Sequence, residues 1–548
     1  MKQRLNQYAC YRYMMYDFTK NTYLHKDLYM NKKFFLFICG LLPFMTQAQQ
    51  QMNNKTRPNI VFILTDDFTA QAWGVYGGIL KDIVKNPNIE NLARQGAILN
   101  NAFCTNSICT PSRAAILTGQ YSNKNKVYTL DDALDPNKEN IAKDLQHAGY
   151  QTAVFGKWHL KNRPSGFDEY RVLPGHGVYH NPTFLSKENW NDKEEAGTPY
   201  QGYVDDITTA LSLDWLSKRN PEKPFFLLCH YKATHEPFDF ADRFKDLYQD
   251  IEFPYPATFL DSGATTTGRS FEGQPLEELG HRYEQASTGP FWTSYPDLPF
   301  STKGMSTIDA RKKIYQKLMK DYLRCVAGID DNLGKIMRYL KAANLDENTV
   351  VILSSDQGYF LGEHNFMDKR LMYEESLRMP FIISYPREIK AGSKLDDMVL
   401  NIDFAALFAD YAGIKKPSYI QGESFRKNLK GNTPSNWRSS MYYRYWQHAP
   451  IRPAHLGVRD ERYKLIYFYG QPLEMTGSDK KTTKAAWEFY DLKKDPMETH
   501  NAIHDKQYEK EISRLKKKLV KLKAEAGDDD KNRPALQQQL RKENLIEK

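Results

Sequence analysis

Uninterrupted apolar runs along the first 400 residues predict the strands of one buried sheet. They lie at 57–64, 150–155, 224–230, 349–354 and 380–384. Runs without alternation are typical of strands covered on both faces, as in a parallel sheet between helices. Helical stretches fall between them, at 88–95, 112–118, 205–216 and 308–343. The alternation predicts an α/β fold with a mostly parallel sheet sandwiched by helices.

The pattern changes after residue 420. Short alternating stretches predict strands at 440–446, 457–459, 463–469 and 488–492, followed by a charged helix at 506–523. We therefore assign 55–420 to a main domain, 421–525 to a smaller antiparallel α+β domain and 526–548 to a polar tail. Residues 261–303 are polar, rich in Gly and Pro and without a clear period, which predicts a long surface loop.

The N-terminal segment predicts export. Lys32 and Lys33 precede an apolar stretch at 34–45, and residues 46–48 resemble a small-x-small cleavage site. We interpret 30–48 as a signal peptide cleaved near Ala48, and 1–29 as an upstream extension. The apolar stretch is shorter than the roughly 20 residues of a membrane span. We expect a periplasmic or secreted protein without a stable membrane span.

Charge and cysteine content exclude some classes of protein. The chain has 548 residues and a net charge of +9, and many of its lysines lie at 510–523. No basic patch interleaved with aromatic residues is visible, so we expect no nucleic-acid partner. A mild basic excess suits an anionic substrate. The 6 cysteines show no CxxC pair, and a chain of this size does not depend on a disulfide framework. The sequence indicates no oligomeric state.

Polar side chains follow several of the predicted strands, where ligands bind in open α/β sheets. The groups are Asp66 and Asp67 after the first run, Lys157 and His159 after the second, Lys232 and His235 after the third, and Asp356 and Gln357 after the fourth. A single Asp pair is more often a turn or a helix cap, and a single His is usually structural. Together these groups predict one site at this edge of the sheet.

The segment CTPSRAAILTGQ at 109–120 is the sharpest local signal. Its structural interpretation is a helix start, with Ser112 in the first turn and Cys109 as a small buried hydrophobic residue. The first turn of a helix is also where an anion is held, so the structural and functional interpretations are compatible.

These motifs resemble the type I sulfatases of the alkaline phosphatase superfamily, over residues 66 to about 501. The resemblance lies in CTPSR, GKWH at 156–159, HEP at 235–237, SDQGYFLGEH at 355–364 and MDKR at 367–370. It implies an alkaline-phosphatase-like fold and a maturase partner that oxidises Cys109 to formylglycine. It also implies one calcium ion, held by Asp66, Asp67, Asp356, Gln357 and an oxygen of the modified Cys109. All of these ligands are hard oxygens, which Ca²⁺ prefers.

The resemblance further implies the catalytic roles. Hydrated formylglycine at Cys109 would attack sulfur, with Arg113 and Lys157 holding the nucleophile. Lys369 and His235 would bind sulfate oxygens, and His235 would donate to the departing sugar oxygen. His159 would deprotonate the second hydroxyl and so release sulfate. The chain departs from the common family pattern at Lys161, at Gln120 and at Gln357, where many members have Asn. No charged catalytic group is lost.

Three segments resemble bacterial N-acetylglucosamine-6-sulfatases, namely 173–184, 368–386 and 455–469. They imply hydrolysis of the 6-O-sulfate of N-acetylglucosamine in glycosaminoglycan (heparin or heparan) fragments. They also imply that His455 reaches the sugar, with His364 or Arg370 at the rim, although a surface or supporting role is equally open for each.

Other functions stay open. Sulfatases for galactose, N-acetylgalactosamine or iduronate sulfate share much of this pattern. A phosphatase or phosphodiesterase of the superfamily would need a two-metal site, where Lys157 and Lys369 would repel a second ion. A non-catalytic sugar-binding relative is the remaining alternative if the host does not modify Cys109.

Overall fold

The computed structural model describes residues 57–190, 197–263, 266, 275–291 and 294–546. The predicted upstream extension and signal peptide lie outside this part of the chain. No helix within the described ranges is both long and apolar enough to cross a bilayer.

The helices and strands follow in chain order. The helices are α1 (Pro87–Gln95), α2 (Cys109–Thr118), α3 (Ser122–Asn125), α4 (Ile141–His147), α5 (Val204–Lys218), α6 (Leu276–Thr288), α7 (Thr307–Ala342), α8 (Glu374–Leu377), α9 (Asp403–Tyr411), α10 (Arg426–Leu429), α11 (Glu509–Glu525) and α12 (Pro534–Lys542). The strands are β1 (Asn59–Thr65), β2 (Ala97–Leu99), β3 (Ala102–Phe103), β4 (Gln151–Lys157), β5 (Glu169–Leu173), β6 (Thr183–Phe184), β7 (Thr198–Pro199), β8 (Phe225–His230), β9 (Thr349–Ser355), β10 (Phe360–Leu361), β11 (Met367–Asp368), β12 (Arg378–Met379), β13 (Phe381–Ser384), β14 (Ser393–Leu395), β15 (Val399–Leu400), β16 (Ser440–Tyr445), β17 (His455–Asp460), β18 (Tyr463–Phe468) and β19 (Ala486–Asp491).

The large sheet has the strand order β14-β2-β13-β9-β1-β8-β4-β5. Strands β9, β1, β8 and β4 pair in parallel, as the apolar runs predict, and β5 adds a parallel strand at a position where no run was predicted. The run at 380–384 is the exception, because β13 pairs antiparallel with both β9 and β2. On β1, Phe62 faces Phe404 and Phe408 of α9, whereas Ile63 packs in the second core on the opposite face. The strand is uniformly apolar because helices cover both faces.

A four-stranded antiparallel sheet, β16-β17-β18-β19, follows the main sheet in sequence. Tyr443 and Tyr445 of β16 point into the core of the main sheet, and Tyr442 points to the other side, under α11. This alternation is expected of a strand whose neighbouring residues face opposite sides. The predicted antiparallel α+β region is confirmed, and its inner face is continuous with the main core.

The polar tail predicted at 526–548 is wrong for the described residues 526–546, because several of them pack in the core of the small sheet. Helix α12 buries Leu536 and Leu540 completely. Upstream of it, Asp528 and Asp530 accept hydrogen bonds from Arg444 Nη1 at 2.6 and 2.9 Å. The polar composition conceals a short amphipathic helix whose apolar positions are four residues apart.

The loop predicted at 261–303 contains helix α6, so the prediction is wrong for those residues. Leu276, Leu279 and Tyr283 of α6 are buried in the same core as α7. Their spacing of three and four residues is helical, but it extends over too few residues to stand out among polar neighbours.

Candidate active site

The carboxyl ends of β1 and β9 bring three aspartates together. Thr65 and Ser355 are paired in the parallel register of these strands, so the residues that follow them lie side by side. The Asp67 backbone N–H donates to Asp356 Oδ1 at 3.2 Å. Carboxylate oxygens of Asp66, Asp67 and Asp356 all lie within 4.8 Å of one another, and all three residues are buried.

This acidic group fits a hard divalent cation. Asp66 Oδ1 and Gln357 Oε1 are buried oxygens without a hydrogen-bond partner among the described residues. Buried carboxylates at this separation are costly unless positive charge compensates them. Burial raises the pKa of Asp356 to about 8, with Arg113 opposing the shift and Asp66 adding to it. Several oxygen donors of this kind form the usual environment of Ca²⁺.

Helix α2 begins at Cys109 beside the aspartates. Gln357 joins the two groups, because its Nε2 donates to Asp67 Oδ1 and lies 3.8 Å from Cys109 Sγ. One turn into the helix, Ser112 Oγ donates to the Asp356 carbonyl oxygen. Asn401 Nδ2 in turn donates to Ser112 Oγ at 2.9 Å. The first turn of α2 is therefore tied to the end of β9.

Lysine ammonium groups face the same aspartates. Lys157 Nζ, at the end of β4, donates to Asp66 Oδ2. Lys369 Nζ donates to Asp67 Oδ2 at 2.6 Å. Burial would raise the pKa of Asp66, but the surrounding cations, Lys157 first, outweigh it and hold the pKa well below its ordinary value. Burial opposes the charge of Lys369 as well, yet the Asp67 carboxylate raises its pKa above the ordinary value. Lys369 therefore stays charged inside the cleft.

Two predicted histidines complete the cluster. His159 Nδ1 lies 3.5 Å from Thr110 Oγ1, in the first turn of α2. His235 Nδ1 donates to the Glu236 carbonyl oxygen at 2.6 Å, and its Nε2 lies 3.8 Å from Asp67 Oδ2. Burial, followed by the Lys157 ammonium, lowers the pKa of both imidazoles well below 6.5. Without a bound anion, both rings are neutral.

The structure brings together the residues predicted as catalytic or metal-binding, in one buried cluster at the carboxyl edge of the sheet. They are Asp66, Asp67, Cys109, Arg113, Lys157, His159, His235, Asp356, Gln357 and Lys369.

The three tentative substrate residues do not belong to this cluster. A rim position for His364 is wrong, because it is fully buried and its Nδ1 pairs with Asp261 Oδ2 at 3.1 Å. His455 is also buried, with Nδ1 donating to the Pro453 carbonyl oxygen at 2.8 Å. Arg370 follows Lys369 and donates from Nη1 to Tyr445 Oη at 3.1 Å. Of the three, only Arg370 keeps part of its side chain exposed beside the cluster.

Sequence reasoning missed two contributors to this site. The Asp205 carboxylate, on α5, accepts from the backbone N–H groups of Lys232 and Ala233 at 2.8 and 3.2 Å, which holds the segment leading to His235. His176 has its ring centre 4.1 Å from that of His159 and 4.8 Å from that of His235. His176 lies in the segment 173–184 that resembles N-acetylglucosamine-6-sulfatases, but within that segment only the two flanking glycines mark it.

Comparison with known proteins defines the class. Residues 58–414 match the Sulfatase family, and residues 362–525 match the C-terminal region of N-sulphoglucosamine sulphohydrolase. The chain belongs to the sulfatase family and is a sulfatase, which confirms the resemblance seen in its motifs.

Individual relatives narrow the comparison. The chain is 33% identical over 539 residues to the N-acetylglucosamine-6-O-sulfatase of Bacteroides thetaiotaomicron, covering 91% of this chain and 92% of that protein. It is 26% identical over 506 residues to an arylsulfatase of Clostridium perfringens, covering 85% and 94%. A solved structure of a protein in complex with its substrate D-glucosamine-2-N,6-O-disulfate superposes with a TM-score of 0.78 at 32% identity, covering 87% of this chain and 99% of that one. The predicted fold class is thereby confirmed.

Proposed function

We propose that the chain hydrolyses the 6-O-sulfate ester of N-acetylglucosamine in glycosaminoglycan fragments such as those of heparin or heparan. The observation that carries this proposal is the set of basic side chains beside Cys109. Lys157 and Lys369 contact Asp66 and Asp67, and the His235 imidazole lies close to Asp66 and Cys109. Basic groups gathered at one site suit the negative charge of a sulfate ester. The choice of sugar is supported by the 33% identical relative and by the disulfated glucosamine substrate of the superposed structure.

The nucleophile in this proposal is formylglycine, made from Cys109 by a maturase. Burial and the Asp66 carboxylate raise the pKa of the Cys109 thiol, so the unmodified side chain stays protonated and is a weak nucleophile. When hydrated, formylglycine supplies a hydroxyl that attacks sulfur and an aldehyde that re-forms as sulfate leaves.

Asp66, Asp67, Asp356 and Gln357, with an oxygen of the modified Cys109, would hold one Ca²⁺. The ion supplies positive charge beside the nucleophile. An ion held there would satisfy the buried oxygens of Asp66 and Gln357 that have no hydrogen-bond partner among the described residues. A second metal is disfavoured because Lys157 and Lys369 occupy the adjoining space with fixed positive charge.

The remaining side chains handle the substrate's charge and protons. Lys369 and His235 would bind sulfate oxygens. Arg113 and Lys157 would hold the nucleophile, and Arg113 would do so through Asp356 and the first turn of α2. His159, neutral in the empty cleft, can accept a proton from the nucleophile. His235 already donates from Nδ1, so it can donate to the leaving sugar oxygen only as the imidazolium. The negative charge of the bound sulfate ester would stabilise that form.

Two measurements test the proposal. Mass spectrometry of the Cys109 peptide from the native host is expected to show formylglycine. If every copy of the peptide carries an unmodified thiol, formylglycine is not the nucleophile. Sulfate release is expected from N-acetylglucosamine 6-sulfate and not from galactose 6-sulfate, N-acetylgalactosamine 6-sulfate or iduronate 2-sulfate. The opposite preference would contradict the proposed sugar but not the proposed hydrolysis of a sulfate ester. The Cys109→Ala variant is the control and should release no sulfate.

Export is the second part of the proposal. Cleavage near Ala48 would deliver the chain to the periplasm or the medium, where extended glycosaminoglycan fragments are accessible. N-terminal sequencing of the mature protein should begin close to residue 49, and a chain retaining its first 48 residues would contradict the cleavage.

A further inference from the structure

His235 is held by one of its two ring nitrogens. Nδ1 donates to the Glu236 carbonyl oxygen at 2.6 Å, since a carbonyl oxygen can only accept. Nε2 lies 3.8 Å from Asp67 Oδ2 and so faces the catalytic cluster. The backbone beside the ring is held as well, because the His235 carbonyl oxygen accepts from Tyr179 Oη at 2.6 Å. Since the imidazole is a rigid plane, the position of the Glu236 carbonyl sets the direction in which Nε2 points.

Two residues from the region 261–303 hold the side chain of Glu236. Arg282, on α6, donates from Nη1 to both carboxylate oxygens, Oε1 at 3.1 Å and Oε2 at 2.9 Å. Tyr295 Oη donates to Oε1 of the same carboxylate. The Arg282 and Glu236 side chains are only 24% and 12% exposed, so water competes little for this contact. We call Arg282 and Tyr295 the Glu236 clamp. Charge-assisted bonds from two directions leave the carboxylate little freedom to move.

Both residues of the Glu236 clamp stand on a packed aromatic group. Tyr283, the neighbour of Arg282 on α6, is fully buried. Its ring packs edge-on against the rings of Tyr295 and Phe300, with ring centres 4.8 and 5.2 Å apart. Edge-to-face pairs of this kind fix the relative orientation of the rings. The Glu236 clamp is therefore presented from a core, although its residues lie in a region of polar composition.

Helix α6 has other contacts that hold it in the fold. Its residues Leu276 and Leu279 are buried in the same core as α7. Arg311 of α7 also donates from Nε to Glu277 of α6 at 2.8 Å. An ion pair that is partly open to water adds little to stability. Loss of the contact between Arg282 and Glu236 should therefore leave the fold intact and change mainly the peptide group that orients His235.

We propose that Arg282 is a positioning residue for the reaction. Together with Tyr295 it holds the Glu236 carboxylate, and through the Glu236 carbonyl it directs His235 Nε2 at the oxygen that leaves with the sugar. When the S–O bond to the sugar breaks, its electron pair stays on the sugar oxygen, which takes the proton from Nε2. The inference rests on the proposed function, in which His235 is the proton donor, and adds the residues that orient it.

Two substrates with different leaving groups test this inference. A sugar leaves as a strongly basic alkoxide that needs the proton, whereas 4-nitrophenolate is a weak base that leaves without it. Arg282→Ala is expected to lower kcat for N-acetylglucosamine 6-sulfate by roughly 10- to 100-fold, which is part of the 10²–10⁴-fold that a positioned general acid contributes. KM for this substrate and the turnover of 4-nitrophenyl sulfate should be nearly unchanged.

Conservative variants and a matched control accompany this measurement. Arg282→Lys keeps the charge, and Tyr295→Phe removes only the second bond to Glu236, so both should lose less kcat than Arg282→Ala. Arg311→Ala is the control, because it also removes an ion pair that holds α6 but lies on the side of α7. It should leave both substrates unaffected. Equal losses for both substrates in Arg282→Ala would overturn the inference, as would a raised KM with unchanged kcat.

Two further measurements separate positioning from direct contact with the substrate. In a His235→Ala background, Arg282→Ala should cause no further loss of sugar-sulfate turnover; a further loss of the same size would show that Arg282 acts on the substrate itself. A crystal structure of unmodified Arg282→Ala, which needs no maturation, should show the His235 ring turned from the Glu236 carbonyl, and an unmoved ring would overturn the inference. If the wild type hydrolyses galactose 6-sulfate instead, only the proposed sugar fails, because both sugars leave as alkoxides and the same comparison applies.

Discussion

Arg113 Nε donates to Asp356 Oδ2 at 2.9 Å, between two side chains that are both buried. The same guanidinium donates from Nη1 to the Lys157 carbonyl oxygen at 2.8 Å, and its Nη2 lies 3.5 Å from Asp66 Oδ1. One side chain thus connects the start of α2 with the ends of β1, β4 and β9. The position of Cys109 relative to the aspartates depends on this connection.

Replacing Arg113 should therefore destabilise the fold as well as the site. Arg113→Ala is expected to lower the free energy of unfolding by about 3–5 kcal/mol, because it leaves buried carboxylates without their partner. Arg113→Lys keeps the charge but cannot form the forked contacts, so a smaller loss is expected. Urea unfolding of unmodified protein measures both effects and does not depend on maturation. Arg94→Ala, at an exposed position of α1, is the control. Equal stability of Arg113→Ala and wild type would contradict the structural role.

Calcium removal should destabilise the native protein. A ligand that binds only the folded state raises the free energy of unfolding by about 2.7 kcal/mol when its free concentration is 100 times its dissociation constant. We expect EDTA to lower the melting temperature and excess Ca²⁺ to restore it, with Mg²⁺ less effective because it demands a more regular geometry. Gln357→Ala should shift the Ca²⁺ titration to higher concentration, whereas Gln249→Ala, at an exposed position, should not. A melting temperature that does not change with EDTA would contradict the proposed Ca²⁺ site.

The pH dependence of stability should report the burial of His455. Burial lowers its pKa from 6.5 to about 4, with its hydrogen bond to Pro453 opposing the shift. Above pH 6.5 the imidazole is neutral in both states. As the pH falls below that value, the unfolded chain binds a proton that the native state does not, so stability declines down to about pH 4. The expected contribution is about 2 kcal/mol between pH 7 and pH 5.

His455→Gln should remove this contribution and flatten the curve over that interval. Urea unfolding at pH 7, 6 and 5 measures it, with His281→Gln at an exposed position as the control. Parallel curves for wild type and His455→Gln would show that the native imidazole is accessible to protons. That result would favour the substrate role predicted for His455 over the buried position seen in the structure.

The parts of the site that the sequence predicted are those fixed by regular structure. Asp66, Asp67 and Asp356 follow apolar runs, and parallel strands place their carboxyl ends at one edge, so proximity follows from the pattern alone. His176 lies in an irregular loop whose path depends on glycine conformations and on Lys157, and no period in the sequence encodes that. The rim position predicted for His364 is wrong for a related reason. Asp261, which pairs with the buried His364, belongs to a loop 103 residues earlier in the chain.

The C-terminal residues contribute to the stability of the fold, although their composition is polar. Leu540 is fully buried against the outer face of the small sheet, so Leu540→Ala should lower the free energy of unfolding by about 2–5 kcal/mol. Deleting 527–548 should cost more, because Arg444 and Lys523 would lose Asp528 and Asp530 while remaining buried. Lys531→Ala is the control, since that side chain is 80% exposed. Urea unfolding measures all three variants. If the truncated protein unfolds at an unchanged urea concentration, residues 527–548 do not contribute to the stability of the fold.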